Sequence, residues 1–157
     1  MTKPRVAIGS DDAGFELKEQ VKAHLAAAGV EVVDYGCDSP DPVDYPDVAL
    51  RLAQDIAGHE AERGILICGT GIGMAITANK VAGVSAAQAH DTFSAARARK
   101  SNNAQILTMG ARVIGPELAK SIVDVWMASE FEGGNSARKV GKIAEYDARR
   151  AHTEDDQ

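Results

Sequence analysis

Short apolar runs alternate with helix-length stretches along the chain, and this alternation constrains the fold more than any other feature. Val6 to Gly9, Val30 to Val33, Gly64 to Cys68, Val84 to Ala89 and Ile106 to Met109 read as strands, each bounded by polar or glycine-rich sequence. Between them, Phe15 to Ala28, Asp47 to Gly58, Gly73 to Val81 and Thr92 to Ser101 are long enough for crossover helices, and Pro116 to Glu130 adds another after the last strand. Nearly continuous apolar strands joined by helices predict a parallel sheet covered on both faces, an α/β three-layer fold with five strands. The helix stripes agree: Leu17, Val21, Leu25 and Ala28 recur on one face, as do Leu118, Ile122, Val125 and Trp126. Gly29 is placed to end the first helix in a left-handed conformation.

The chain reads as a single domain over 1–157 without internal repeats or linkers. Gly133-Gly134 sets off a polar helix over 136–150, in which Val140, Ile143 and Ala144 stand among Arg138, Lys139, Lys142, Arg149 and Arg150. So narrow an apolar face buries little on its own domain. Two arrangements fit it: packing on a partner subunit, or a solvated helix fraying into a loose tail over 151–157.

Composition excludes several function classes. With 17 Lys and Arg against 23 Asp and Glu, the net charge of −6 has the wrong sign for a nucleic-acid partner. No window approaches the roughly 18 apolar residues of a membrane span. Met1-Thr2-Lys3-Pro4 leads directly into the first strand without a signal-peptide core, so the expected location is the cytoplasm, with no membrane partner. Two cysteines, Cys37 and Cys68, cannot make a disulfide framework or a four-ligand zinc site, and no spacing gathers metal ligands. No metal is therefore expected.

Ligands of an open parallel sheet bind beyond the carboxyl ends of its strands, so the residues that follow each run are the candidates. After the third strand, Cys68-Gly69-Thr70-Gly71-Ile72-Gly73 gives a turn and a helix start, with backbone N–H groups turned outward as an anion cradle. Close strand-to-helix packing would also explain the glycines. The spacing is not that of a dinucleotide fingerprint, so no nicotinamide cofactor is expected. Cys68 precedes the helix start, a setting that favours the thiolate and suits a base or nucleophile; a buried cysteine acting as a small hydrophobe also fits. Asp11 and Asp12 follow the first strand. Asp11 is placed to grip a substrate hydroxyl, whereas Asp12 fits a helix N-cap as well as a binding role. A phosphoacceptor receiver domain would need Asp where Cys68 stands, and that reading fails. His90 follows the fourth strand on the ligand side, where it fits an acid/base role or a structural one.

Taken in order, Gly9-Ser10-Asp11 with Ala13-Gly14, Asp44-Tyr45-Pro46, Ile67 to Gly73, Ala78-Asn79-Lys80 and Met109 to Gly115 resemble the ribose-5-phosphate isomerase type B and galactose-6-phosphate isomerase family over nearly the whole chain. The resemblance implies a cofactor-independent aldose–ketose isomerase with a Rossmann-like five-stranded parallel sheet, acting on a sugar phosphate, a homodimer or homotetramer with active sites built from two subunits. It implies Cys68 as the base that forms an enediolate, with Thr70 orienting or activating the thiol. Gly69, Gly71 and Gly73, helped by Asn102, would hold the oxyanion, while Asp11 and Tyr45 contact the sugar and Arg112 and Lys139 remain as anion ligands.

Three departures bear on the substrate. Asp12 stands where many type B enzymes have a histidine near the phosphate, and Ser101 replaces the ring-opening histidine. Gly133-Gly134-Asn135-Ser136-Ala137-Arg138-Lys139 replaces a segment richer in phosphate-gripping arginine. Ribose 5-phosphate with ribulose 5-phosphate is the family default. The alternative is a four-carbon sugar phosphate, which lacks the free hydroxyl needed to close a furanose and so needs no ring opener; otherwise His90 must replace the lost acid/base. A non-catalytic subunit of a paired isomerase is a further reading, opposed by retention of Cys68-Gly69-Thr70-Gly71.

Overall fold

The computed structural model describes residues 3–155. Five strands, β1 (Val6–Ser10), β2 (Val32–Asp34), β3 (Arg63–Cys68), β4 (Ala86–Gln88) and β5 (Ile106–Gly110), form one parallel sheet in the order β2-β1-β3-β5-β4. Every residue of β1, β3 and β5 is buried, as expected of strands covered on both faces. Helices α1 (Phe15–Ala27), α4 (Thr92–Lys100) and α5 (Pro116–Ala128) cover one face, packing Leu17, Val21, Ala95, Ala98, Ile122 and Trp126 against Ile8, Ile65, Ile67 and Leu107. Helices α2 (Tyr45–Ala57) and α3 (Ile72–Ala78) cover the other, where Leu52, Ile56 and Met74 pack on Ala7, Leu66 and Cys68. Each fully buried Leu or Ile contributes about 1.5–3 kcal/mol, so the central strands dominate the sheet's stability.

The strand order fixes where a ligand belongs. From β1 the chain turns to its neighbour β2, and from β3 it moves the opposite way towards β4 and β5. The crossovers diverge between β1 and β3, which leaves a crevice beyond their carboxyl ends. Asp11 and Cys68 stand there.

Boundaries differ from the sequence reading at the edges. β2 starts at Val32 because the Gly29 and Val30 N–H groups close the end of α1 on the carbonyls of Ala26 and Leu25, with Gly29 at φ +79°. The last helix, α6, spans Asn135–Asp155, so the segment expected as a loose tail is helical as far as Asp155, while residues 156–157 lie outside the described residues. In this chain α6 meets the body through Asp147, which accepts the Gly83 N–H, and Arg150, which reaches the Asn79 carbonyl. Ile143 and Tyr146 on it are exposed. Among the described residues no helix is long and apolar enough to cross a membrane.

A buried lysine fixes the wall of the crevice. Lys18 of α1 is fully buried, and its Nζ donates to both carboxylate oxygens of Asp34 (2.9 and 2.8 Å) and to the Cys37 carbonyl (2.8 Å). Burial pushes the Asp34 carboxyl up, but hydrogen bonds from Lys18, Lys22 and the Gly36 N–H outweigh it and hold the group below its ordinary 3.8. A carboxyl so lowered contributes stability above that pH and loses it as pH falls through its folded value. Lys18→Met should therefore cost about 2–3 kcal/mol at pH 7, read by chemical denaturation, with the deficit narrowing on acidification.

Candidate active site

The loop that follows β3 is held peptide by peptide. The Cys68 carbonyl accepts from the Ala111 N–H (2.9 Å) and the Gly69 carbonyl from the Arg112 N–H (3.0 Å). The Thr70 carbonyl accepts from Gln88 Nε2 (2.7 Å), and the Gly71 carbonyl from the buried Thr108 Oγ1 (2.9 Å). In a trans peptide the C=O and the next N–H point in opposite directions, so carbonyls anchored on β4 and β5 turn the following N–H groups away from those strands. The Gly71 N–H, so turned, donates to Cys68 Sγ (3.1 Å). The Ile72 N–H donates to Thr70 Oγ1 (3.2 Å).

Glycine is required here for two reasons. Gly71 adopts φ +81°, and a Cβ on it would stand 2.8 Å from the Met109 backbone. Gly73 lies flat against the Tyr45 ring, which a Cβ would meet at 2.3 Å. Tyr45, the first residue of α2, thereby forms a wall over the start of α3. Cys68 itself is buried, at 4% exposure.

Across the crevice, Asp11 Oδ1 accepts the Gly14 N–H (3.0 Å). Burial raises its carboxyl above the ordinary 3.8 and the Asp12 charge adds to this, while the Gly14 N–H and the Arg112 guanidinium pull the other way. Arg112, from the turn after β5, lies over Gly69, its Nη1 3.3 Å from where a Cβ on that glycine would be. Asp11, the Cys68 to Gly73 loop, Tyr45 and Arg112 are therefore brought together.

Other candidates land elsewhere. Asp12 does not cap α1, whose N-cap is Gly14 without a side-chain bond; its Oδ1 instead accepts the Val43 N–H (3.2 Å) and ties down the loop leading to Tyr45. His90 Nε2 accepts the Gly110 N–H (2.9 Å), so the neutral ring carries its proton on Nδ1. Ser101 Oγ accepts from Arg97 Nε (2.7 Å). Asn102 precedes β5, at the amino ends of the strands and so opposite the carboxyl end where Cys68 lies, and it lines a cavity of about 580 Å³ beneath α6. Lys139 is exposed on α6. Within one chain, then, Asn102 does not join the Cys68 loop. Among the described residues no group of three or more His, Cys, Asp or Glu is arranged to hold a metal ion.

Sequence reasoning missed Gln88 and Thr108. Thr108 left one signal, a polar residue within the apolar run Ile106 to Met109. Gln88 left none, since its contact joins strands that are not neighbours in the sheet.

Asp11 yields a test of sign. A carboxyl raised by its surroundings stabilises the fold when protonated and loses that contribution as pH rises through its folded value, so ionised Asp11 lowers stability at neutral pH. Asp11→Asn keeps an oxygen for the Gly14 N–H. It should melt at or above wild type at pH 7, by calorimetry, with the difference disappearing towards pH 3.8.

With this geometry in view, the similarities to known proteins are specific. A family model described as Ribose/Galactose Isomerase matches residues 6–143. A D-erythrulose-4-phosphate isomerase of Pectobacterium atrosepticum is 55% identical over 94% of this chain and 97% of its own. A ribose-5-P isomerase B of Listeria innocua is 51% identical over 91% and 97%. The solved structure of Clostridium thermocellum ribose-5-phosphate isomerase B superimposes with a TM-score of 0.91 at 44% identity, over 93% of this chain and 99% of the other. The chain thus belongs to the ribose/galactose isomerase family of sugar phosphate isomerases and is an aldose–ketose isomerase.

Proposed function

We propose that the enzyme interconverts the aldose and ketose forms of a four-carbon sugar phosphate, erythrose 4-phosphate and erythrulose 4-phosphate, with Cys68 as the base. The observation that carries this reading is the loss of the ring-opening histidine at position 101 together with the use of one His90 nitrogen as a backbone acceptor. His90 Nε2 is occupied by the Gly110 N–H, and a serine, bonded by Arg97, stands at position 101. A phosphorylated tetrose cannot close a furanose, so it asks for neither. The Pectobacterium relative, named for this substrate, supports the same choice. The five-carbon reading keeps the support of the Listeria relative's name but needs another acid/base in place of the histidine that Ser101 replaces.

In this reading the Cys68 thiolate, favoured by the Gly71 N–H, takes the proton from C2 of the aldose. The electron pair moves onto the carbonyl oxygen, and N–H groups of the Gly69 to Gly73 backbone hold the enediolate. The thiol returns its proton to C1 while a hydroxyl proton passes from O2 to O1, and the ketose results. Thr70 shapes the turn and Tyr45 walls the pocket. Asp11 accepts a sugar hydroxyl and Arg112 draws the phosphate. Asn102, at the amino ends of the strands, and Lys139, exposed on α6, serve a Cys68 site from a second copy. Ile143 and Tyr146, exposed on α6, fit burial in such a pair, a homodimer or a larger even assembly.

The test compares kcat/KM for erythrose 4-phosphate and ribose 5-phosphate. The four-carbon substrate should be preferred at least about tenfold. Faster turnover of ribose 5-phosphate, persisting in His90→Ala, would contradict the proposal.

A further inference from the structure

We infer that Gln88 is a positioning residue that sets the reactivity of Cys68 through the Thr70–Gly71 peptide. The inference rests on the reading of Cys68 as the base and adds a residue that no part of that reading assigns. Gln88 ends β4 and stands in register with Thr108 of β5. Their side chains grip successive carbonyls of the loop, Gln88 that of Thr70 (2.7 Å) and Thr108 that of Gly71 (2.9 Å). The peptide that Gln88 holds is the one whose N–H donates to Cys68 Sγ at 3.1 Å.

Two physical effects follow. A donor on a peptide carbonyl polarises the amide and strengthens its N–H as a donor to the sulfur. It also fixes the plane of a peptide that ends in glycine, the residue least able to hold a single orientation by its own sterics. Without Gln88 this peptide could turn its N–H from the sulfur at little steric cost, and the thiolate would lose a donor. Gln88 is exposed and adds little to the core, so its removal should leave folding almost untouched.

The experiment titrates the thiolate of Cys68 by its ultraviolet absorbance in intact protein, taking the difference between each protein and its Cys68→Ala counterpart. The proteins are wild type, Gln88→Met, similar in size without the donor, and Gln88→Leu as a second variant. Loss of a hydrogen bond to a charged group predicts an upward move of the titration midpoint by about one pH unit in both. The acid limb of the kcat/KM profile should move by the same amount, with activity on that limb roughly tenfold lower and KM within about twofold. Midpoints that stay at the wild-type value in folded variants would overturn the inference, even if activity fell. The base reading fails separately, if Cys68→Ala alone retains turnover, and the titration judges Gln88 in either case.

Discussion

The site depends on one constraint: successive carbonyls of the Cys68 to Gly71 loop are all engaged by donors from β4, β5 and the turn after β5. A peptide whose carbonyl is anchored cannot turn its N–H freely. Because these N–H groups are already aimed before a substrate arrives, little reorganisation is left for the moment when negative charge develops. The glycines serve this arrangement. Gly71 lets the loop lie against the Met109 backbone, and Gly110 does the same for the end of β5, where a Cβ would meet Thr70 Cα at 2.6 Å.

Around that loop the fold supplies walls rather than chemistry. The diverging crossovers open the crevice between β1 and β3, Lys18 locks α1 to the segment after β2, and Asp12 ties down the approach to Tyr45. The seven-residue α3 is too short to lend much dipole, so the donor that matters to the sulfur is the single Gly71 N–H. His90 Nε2 and Ser101 Oγ hold backbone and arginine in place.

The sequence made the central sheet legible because β1, β3 and β5 are buried on both faces and so carry apolar runs that local pattern cannot hide. The edge strands β2 and β4 shifted, since half-buried three-residue strands leave weak patterns. Asp11 and Cys68 were legible from the rule that ligands bind beyond strand ends. The sequence separated Asp11 from Asp12, but the N-cap expected of Asp12 was not formed: its carboxylate takes the Val43 N–H, a contact distant in sequence that local pattern does not carry. Gln88 and Thr108 were illegible as site residues because each acts on the backbone of a loop distant in sequence. Asn102 matched the family motif and Lys139 stood in a segment that departs from it, but within one chain the topology places Asn102 away from the loop it was expected to serve.

The most direct measurement follows deuterium from heavy water into the carbon beside the carbonyl of the sugar phosphate, by proton NMR, with wild type and Cys68→Ala. Removal and return of a proton by the Cys68 thiolate predicts incorporation by wild type and a loss of at least about a hundredfold in the variant. Exchange at an undiminished rate without the thiol would contradict the account.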